Sequence, residues 1–386
     1  MHTGTYMGIA ATVITLFISC KKANNNQEDN TSDDEGCVTQ LSVKSSALTE
    51  DQYIIVYKEG SGATDRAVET ESLLSKNSIS KSAVQKTFDG VFNGCLLRAT
   101  ADKIAALQKD ERIAWIEPDR VIKLGNCFTV VEPRLITWNI NKVGYGNGIG
   151  KTAWVIDTGI DFEHPDLNVD KTRSRSFISG QTSADDQNGH GTHVAGIIGG
   201  LNNTFGVLGV ASGASLVALK VLDSEGEGNL SAILSALNYV GKNAKTGDVV
   251  NMSLGLEGGS AILDQQVKTL AGRGILFAIA AGNDGKEANE YSPARVNAPN
   301  VFTVSAIDSL DRFAGFSNYG NDVVDVAAPG VRIISTYLNG RYARLSGTSM
   351  AAPHVAGLLL LNGANLHNAG FARNDPDGIA DMIAGK

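Results

Sequence analysis

Three residue types, set far apart along the chain, can together activate a hydroxyl for attack on a carbonyl. Ser349 lies in Gly347-Thr348-Ser349-Met350-Ala351-Ala352-Pro353-His354-Val355-Ala356-Gly357, where small residues crowd one hydroxyl. The run continues as an apolar helix through Leu361, with Pro353 expected in its first turn, where a missing N–H costs little. Ser349 is thereby expected at a helix N-terminus, where free N–H groups and the positive end of the dipole favour an oxyanion. A serine alone is a weak nucleophile, so this reading needs a base and an acid that orients it. Asp157 ends the apolar run Ala153-Trp154-Val155-Ile156, and His190 opens a second small-residue helix in Asn188-Gly189-His190-Gly191-Thr192-His193. Each residue has a plainer reading. Asp157 also fits a strand end, and Asn283 in Gly282-Asn283-Asp284-Gly285 fits a turn. His190 and His193 also suggest a metal pair, but no third ligand follows at a convincing spacing.

The elements that must position these groups alternate in type. Ala153–Ile156, Leu216–Leu222, Val249–Leu254, Ile275–Ala280 and Val301–Ala306 read as strands. Ala195–Gly199, Leu230–Asn243 and Ala261–Arg273 read as helices between them. This alternation predicts an α/β fold: a mostly parallel, doubly wound sheet with helices on both faces. Sites in such sheets form at the carboxyl ends of strands, and Asp157, Ser253 and Asn283 all fall just past an expected strand end.

The stretches VIDTGIDFEHPDL, NGHGTHVAG, IAAGNDG and GTSMAAPHVAG, in that order, resemble the subtilisin-like serine proteases, including proteinase K, over about Trp138 to Leu361. The resemblance implies an Asp157, His190, Ser349 triad, with Asn283 donating its amide to the oxyanion beside the Ser349 N–H. It implies that Gly228, Asn229 and Leu230 on one side, and Ser253, Leu254 and Gly255 on the other, hold a substrate peptide as an added strand. Ala281 and Gly282, with Tyr291 to Ala294, resemble walls of the pocket for the residue before the scissile bond. Their small, uncharged character favours apolar or aromatic residues there, although Glu290 and Arg295 are close in sequence. Leu201 to Val207 resembles a calcium loop, which implies Asp166 and Asn203 as side-chain ligands and Leu201, Phe205 and Val207 as backbone ligands. The other reading is a polar loop without metal. No organic cofactor is implied.

Residues Gln52 to Leu124 carry a second pattern. Strands are expected at Tyr53–Tyr57, twice within Val84–Leu97, and at Ile113–Ile116, the last ended by Glu117-Pro118. Helices are expected at Ala67–Leu74 and Thr100–Gln108. The order β-α-β-β-α-β is the split ferredoxin-like α+β unit. FNGCLLRATADKIAALQKDERIAWIEPD resembles the inhibitory propeptide of the same family. That implies an intramolecular inhibitor and self-cleavage between about Lys123 and Arg134.

The chain has 386 residues, of which 42% are hydrophobic and 19% charged, which suits a globular protein of more than one domain. A net charge of −8 without a basic patch excludes nucleic acid as a partner. Met7 to Ser19 is apolar, too short to span a bilayer comfortably, and reads as a signal-peptide core. Its end at Phe17-Ile18-Ser19-Cys20 resembles a bacterial lipoprotein signal, which implies lipidation of Cys20; a plain secretory signal cut nearby is the alternative. The expected organisation is a signal over 1–20, a polar tether over 21–50, a propeptide over 51–125 and a peptidase domain over 126–386. An exported monomer, held to a bacterial membrane by lipid or else secreted, is the expected form, with polypeptides as substrates. Cys37 and Cys127 flank the propeptide and are candidates to pair, while Cys95 alternates with apolar neighbours and reads as buried. The acidic run Asn374 to Gly378 has no assigned role.

Two other function classes fit less well. A dead, peptide-binding relative has no chemical need to keep Asp157, His190, Asn283 and Ser349 together. An α/β-hydrolase esterase wants the order Ser, Asp, His and a second glycine where Ala351 stands.

Overall fold

The computed structural model describes residues 48–58, 66–124, 129–130 and 135–386. The signal, Cys20, Cys37, Cys127 and the tether up to residue 47 lie outside these residues; the last three residues of the expected tether, Leu48 to Glu50, already belong to the first strand.

The N-terminal unit follows the expected order: β1 (Leu48–Tyr57), α1 (Arg66–Lys76), β2 (Val84–Asp89), β3 (Asn93–Arg98), α2 (Ala101–Leu107) and β4 (Ile113–Lys123). Its strands pair antiparallel in the order β4-β1-β3-β2. Side chains alternate across this sheet, so its two faces serve two cores. Ile55, Tyr57, Cys95 and Leu97 pack with Leu73, Ile104 and Leu107 of the two helices. Ile54, Val56, Phe88 and Leu96 face the other way and join the core of the larger domain. Cys95 is buried as expected, and burial pushes its thiol up to about 11.

Pro118 does not end the last strand. β4 runs on through Lys123 because it changes partner there. Ile113 to Pro118 pairs with β1, whereas Val121 to Lys123 pairs with Glu227–Asn229 of the larger domain. Pro118 lies at a register shift within the β1–β4 ladder, between the Tyr53–Pro118 and Leu48–Arg120 pairs, where a missing N–H interrupts little.

The larger domain contains α3 (Trp138–Val143), β5 (Thr152–Asp157), β6 (Arg175–Ser176), α4 (His190–Gly199), β7 (Ser215–Lys220), β8 (Glu227–Asn229) and α5 (Leu230–Asn243). There follow β9 (Val249–Met252), α6 (Ala261–Ala271), β10 (Leu276–Ala280), β11 (Val301–Ile307), β12 (Val326–Pro329), β13 (Ile333–Tyr337), β14 (Arg341–Leu345), α7 (Thr348–Asn362), β15 (His367–Phe371) and β16 (Met382–Gly385). The main sheet has the order β15-β16-β12-β11-β10-β9-β5-β7-β6 and is parallel except for β15. Its central strands are almost wholly buried and mostly apolar because helices cover both faces. α4 and α7 pack together on the sheet, as do α5 and α6.

The acidic tail is part of this architecture. β15 and β16 form a hairpin that extends the sheet beyond β12, with Ile383 and Ala384 fully buried. Short, polar β15 gave no periodic signal in the sequence.

Candidate active site

Asp157 is the last residue of β5 and is completely buried. His190 is the first residue of α4, and its Nδ1 donates to Asp157 Oδ1 at 2.7 Å. Asp157 Oδ1 also accepts from the Thr158 N–H. The turn before His190 is held by Asp186, whose carboxylate accepts from the N–H groups of Asn188, Gly189 and Thr192 and from the Thr192 hydroxyl. Gly189 has φ of 105°, and a Cβ there would lie 2.3 Å from the Tyr337 ring, so only glycine fits. Asp186 caps the helix of the base, a role the sequence analysis missed; the Asp four residues before His190 was the available signal.

Ser349 is the second residue of α7, as a helix N-terminus requires. The helix begins at Thr348, however, so Pro353 lies inside it rather than in its first turn. A residue at 353 with an N–H would donate to the Ser349 carbonyl. That carbonyl instead accepts from the Ser253 hydroxyl at 2.8 Å. The Ser349 hydroxyl in turn donates to the Ser253 carbonyl at 3.2 Å. His190 Nε2 is buried and makes no hydrogen bond, so the serine–histidine contact is not formed in this state. Apo catalytic hydrogen bonds are often loose and tighten only with substrate.

Asn283 follows β10, and its Oδ1 accepts from both the N–H and the hydroxyl of Thr348 at 2.8 Å. These two donors fix the amide, so its Nδ2 end points away from Thr348. Gly282 N also donates to the Thr348 hydroxyl, which locks Ala281 to Asn283 against the start of α7. The metal-pair reading of His193 fails. Its Nε2 is committed to the Ile333 and Ala343 carbonyls, and burial lowers its pKa to about 3. His354 is likewise a buried neutral side chain between Asn139 and the Met350 carbonyl.

The N-terminal domain enters the cleft. β4 lies antiparallel to β8, with Ile122 opposite Gly228 and Val121 opposite Asn229, and Leu124 N donates to the Gly226 carbonyl at 2.7 Å. Ile122 and Leu124 turn inward and are buried, with Lys123 facing out to Glu227. Leu230, next after this ladder, and Leu254 are fully buried. No pairing between β4 and Ser253 to Gly255 is formed by the described residues, so one of the two expected edges is occupied. Glu117 and Asp119 dock the same strand. Glu117 accepts from Ser260 Oγ and Ile262 N at the start of α6, and Asp119 accepts from Ser231 N and Oγ at the start of α5. Two carboxylates of one domain thus cap two helices of the other.

The expected calcium residues come together from two segments, Asp166 from the turn after β5 and the others from the loop after α4. Asp166 accepts from Asn203 Nδ2 at 2.7 Å, Val207 N at 2.9 Å and the Tyr342 hydroxyl at 3.2 Å, and Asn203 Oδ1 accepts from Phe205 N. The oxygen types suit a hard cation, but here the carboxylate is satisfied by protein donors. A cation at Asp166 requires Asn203 to present Oδ1 in place of Nδ2. Among the described residues no group of three His, Cys, Asp or Glu side chains converges as a metal site.

Comparison with known proteins agrees with this geometry. Residues 150–369 match the subtilase family, and residues 52–125 match the peptidase inhibitor I9 family. The chain belongs to the subtilase family. It is 38% identical over 328 residues to subtilisin-like protease 2 of Pseudogymnoascus destructans, covering 80% of this chain and 78% of that one. It is 42% identical over 267 residues to the M-protease of Shouchella clausii, covering 67% and 66% of the two chains. The crystal structure of a cold adapted subtilisin-like serine proteinase superposes with a TM-score of 0.57 at 36% identity, covering 65% of this chain and 98% of that one. This subtilase is a serine-type endopeptidase carrying an inhibitor I9 propeptide.

Proposed function

We propose that this subtilase hydrolyses peptide bonds through an acyl-enzyme on Ser349 and is made as a self-processing zymogen. His190 takes the Ser349 proton and later gives it to the leaving amine, and Asp157 holds the imidazole tautomer and stabilises its charged form. Asn283 Nδ2 and the Ser349 N–H receive the oxyanion. The observation that carries this reading is the 2.7 Å Asp157–His190 bond at the start of α4, the helix packed against α7, which presents Ser349.

The division into a propeptide over 51–125 and a peptidase over 126–386 follows the same logic. β4 sits on β8 as a substrate strand would, which supports self-inhibition before the junction is cut. Backbone pairing gives affinity with little side-chain selectivity, while the buried Ile122 and Leu124 point to apolar preferences upstream of the scissile bond. Calcium at Asp166 and Asn203, lipidation of Cys20, export and a monomeric state complete the proposal. No helix among the described residues is long and apolar enough to cross a membrane.

The test is intact mass after incubation with a fluorophosphonate, with Ser349→Ala in parallel. One adduct on Ser349, loss of residues up to the region between about Lys123 and Arg134, and an uncleaved, unlabelled variant are expected. Self-cleavage by Ser349→Ala would overturn the assignment.

A further inference from the structure

Lys220 is a charged residue without use in the mechanism above, yet it has no solvent-exposed surface. It ends β7, paired in register with Asp157 at the end of β5. Its Nζ donates to the Thr158 carbonyl at 2.5 Å. Thr158 also accepts the Gly191 N–H on its hydroxyl, so the residue after Asp157 is gripped from β7 and from the helix of the base. A buried ammonium is costly unless anions face it. The carboxylates of Asp186, then Asp223, Asp157 and Asp185, do so. Burial pulls the ammonium below its ordinary value, and these four carboxylates pull it back up.

The four are not equivalent. Asp186 is saturated by four donors, Asp185 accepts from Phe162 N, and Asp223 accepts from Glu225 N and Glu227 N. Asp157 Oδ2 is buried and has no hydrogen-bond donor among the described residues. The groups on the packed elements are few: His190 and His193 on α4, and Arg175 on β6, whose guanidinium lies over the Tyr239 ring. Among the described residues, Lys220 is therefore the fully buried ammonium available to compensate Asp157.

We propose that Lys220 is a positioning residue of the triad, whose ammonium anchors the Thr158 carbonyl and offsets the charge on Asp157. The inference rests on the triad reading. A cation beside the Asp157–His190 pair disfavours the imidazolium, so removing it favours protonation. The acid limb of the rate then moves to higher pH. A filler of space would alter stability and the plateau rate but leave that limb in place.

The experiment is the rate of fluorophosphonate labelling of Ser349 in the mature protein between about pH 5 and 9, for wild type, Lys220→Met and Lys220→Arg. Lys220→Met is expected to move the acid limb up by about 0.5 to 1.5 pH units. Lys220→Arg keeps the charge and is expected to stay within about 0.2 units of wild type. A folded Lys220→Met with the wild-type limb overturns the inference while leaving the triad standing. So does a Lys220→Arg limb raised by a full unit, which remains readable if the Met variant does not fold. Wild type that labels elsewhere than Ser349 removes the triad reading itself.

Discussion

Ser253 and Ser349 exchange two hydrogen bonds: each hydroxyl donates to the other's carbonyl, at 2.8 Å from Ser253 and 3.2 Å from Ser349. The exchange depends on Pro353, which cannot bond the Ser349 carbonyl and leaves it open to a neighbour. It ties the start of α7 to the strand end that is expected to bind substrate. Ser253→Ala strips the Ser349 carbonyl of its donor, so the catalytic domain should lose about 1–3 kcal/mol. Urea unfolding on a Ser349→Ala background, which removes autolysis, measures this; a loss below about 0.3 kcal/mol would show the contact to be incidental.

Asn283 is expected to act on kcat alone. Thr348 fixes its amide oxygen in place, so the amide nitrogen is oriented before any substrate arrives. Asn283→Ala should lower kcat by about a hundred- to thousandfold, a magnitude carried over from the same kind of donor in subtilisin. A matching rise in KM, with kcat preserved, would assign Asn283 to ground-state binding instead.

The caps made by Glu117 and Asp119 predict how the cut propeptide stays bound. Each such cap is worth about 0.5–2 kcal/mol, so losing both should weaken retention by roughly fivefold to several hundredfold. After processing, the wild-type propeptide should co-elute with the peptidase in gel filtration, and that of Glu117→Ala/Asp119→Ala should separate. Undiminished co-elution of the double variant near the dissociation constant would mean that the apolar face of Ile54, Val56 and Leu96 alone holds it.

Calcium makes a thermal prediction. In Ser349→Ala protein, a chelator should lower Tm by about 5–10 °C if the cation is bound at roughly a hundredfold above its dissociation constant. Asp166→Asn should abolish the difference between chelated and calcium-loaded samples. Identical melting with and without chelator would establish a loop closed by hydrogen bonds alone.

Asp381 sets a pH dependence at the far edge of the sheet. Burial pushes its carboxyl up to about 7, with Ser305 Oγ bonded to it at 2.5 Å and Asp375, Asp377 and Asp325 nearby. A raised folded value means that folding takes up a proton. The contribution is therefore present at low pH and is lost as pH rises through about 7. Asp381→Asn, again with Ser349→Ala, should melt higher than its parent at about pH 9 and nearly equal to it at about pH 4. Equal melting at both values would mean that the carboxyl is solvated at the sheet edge.

Much of the site was legible in the sequence because its chemistry is local. Asp157, His190, Asn283 and Ser349 each sit at the boundary of an apolar run, where composition changes sharply. Such boundaries mark strand ends and helix starts without tertiary knowledge. The N-terminal domain was legible in the same way, since its alternating runs and glycine turns fix β-α-β-β-α-β. Contacts between segments distant in the chain were not legible. Pro118 looked like a strand end until β8 proved to be the second partner of β4. Pro353 looked like a first-turn proline because nothing local reveals that a serine from β9's end will serve the carbonyl it frees. The partners of Glu117, Asp119, Asp186 and Lys220 lie on other elements and left no reading in the sequence, and the acidic tail had no assigned role. The sequence by itself determined which residue types stand at each element's end, because propensity and periodicity act over a few residues. Only the tertiary structure decided which of those ends meet, because burial makes an unpaired donor, acceptor or charge costly and so selects partners from anywhere in the chain.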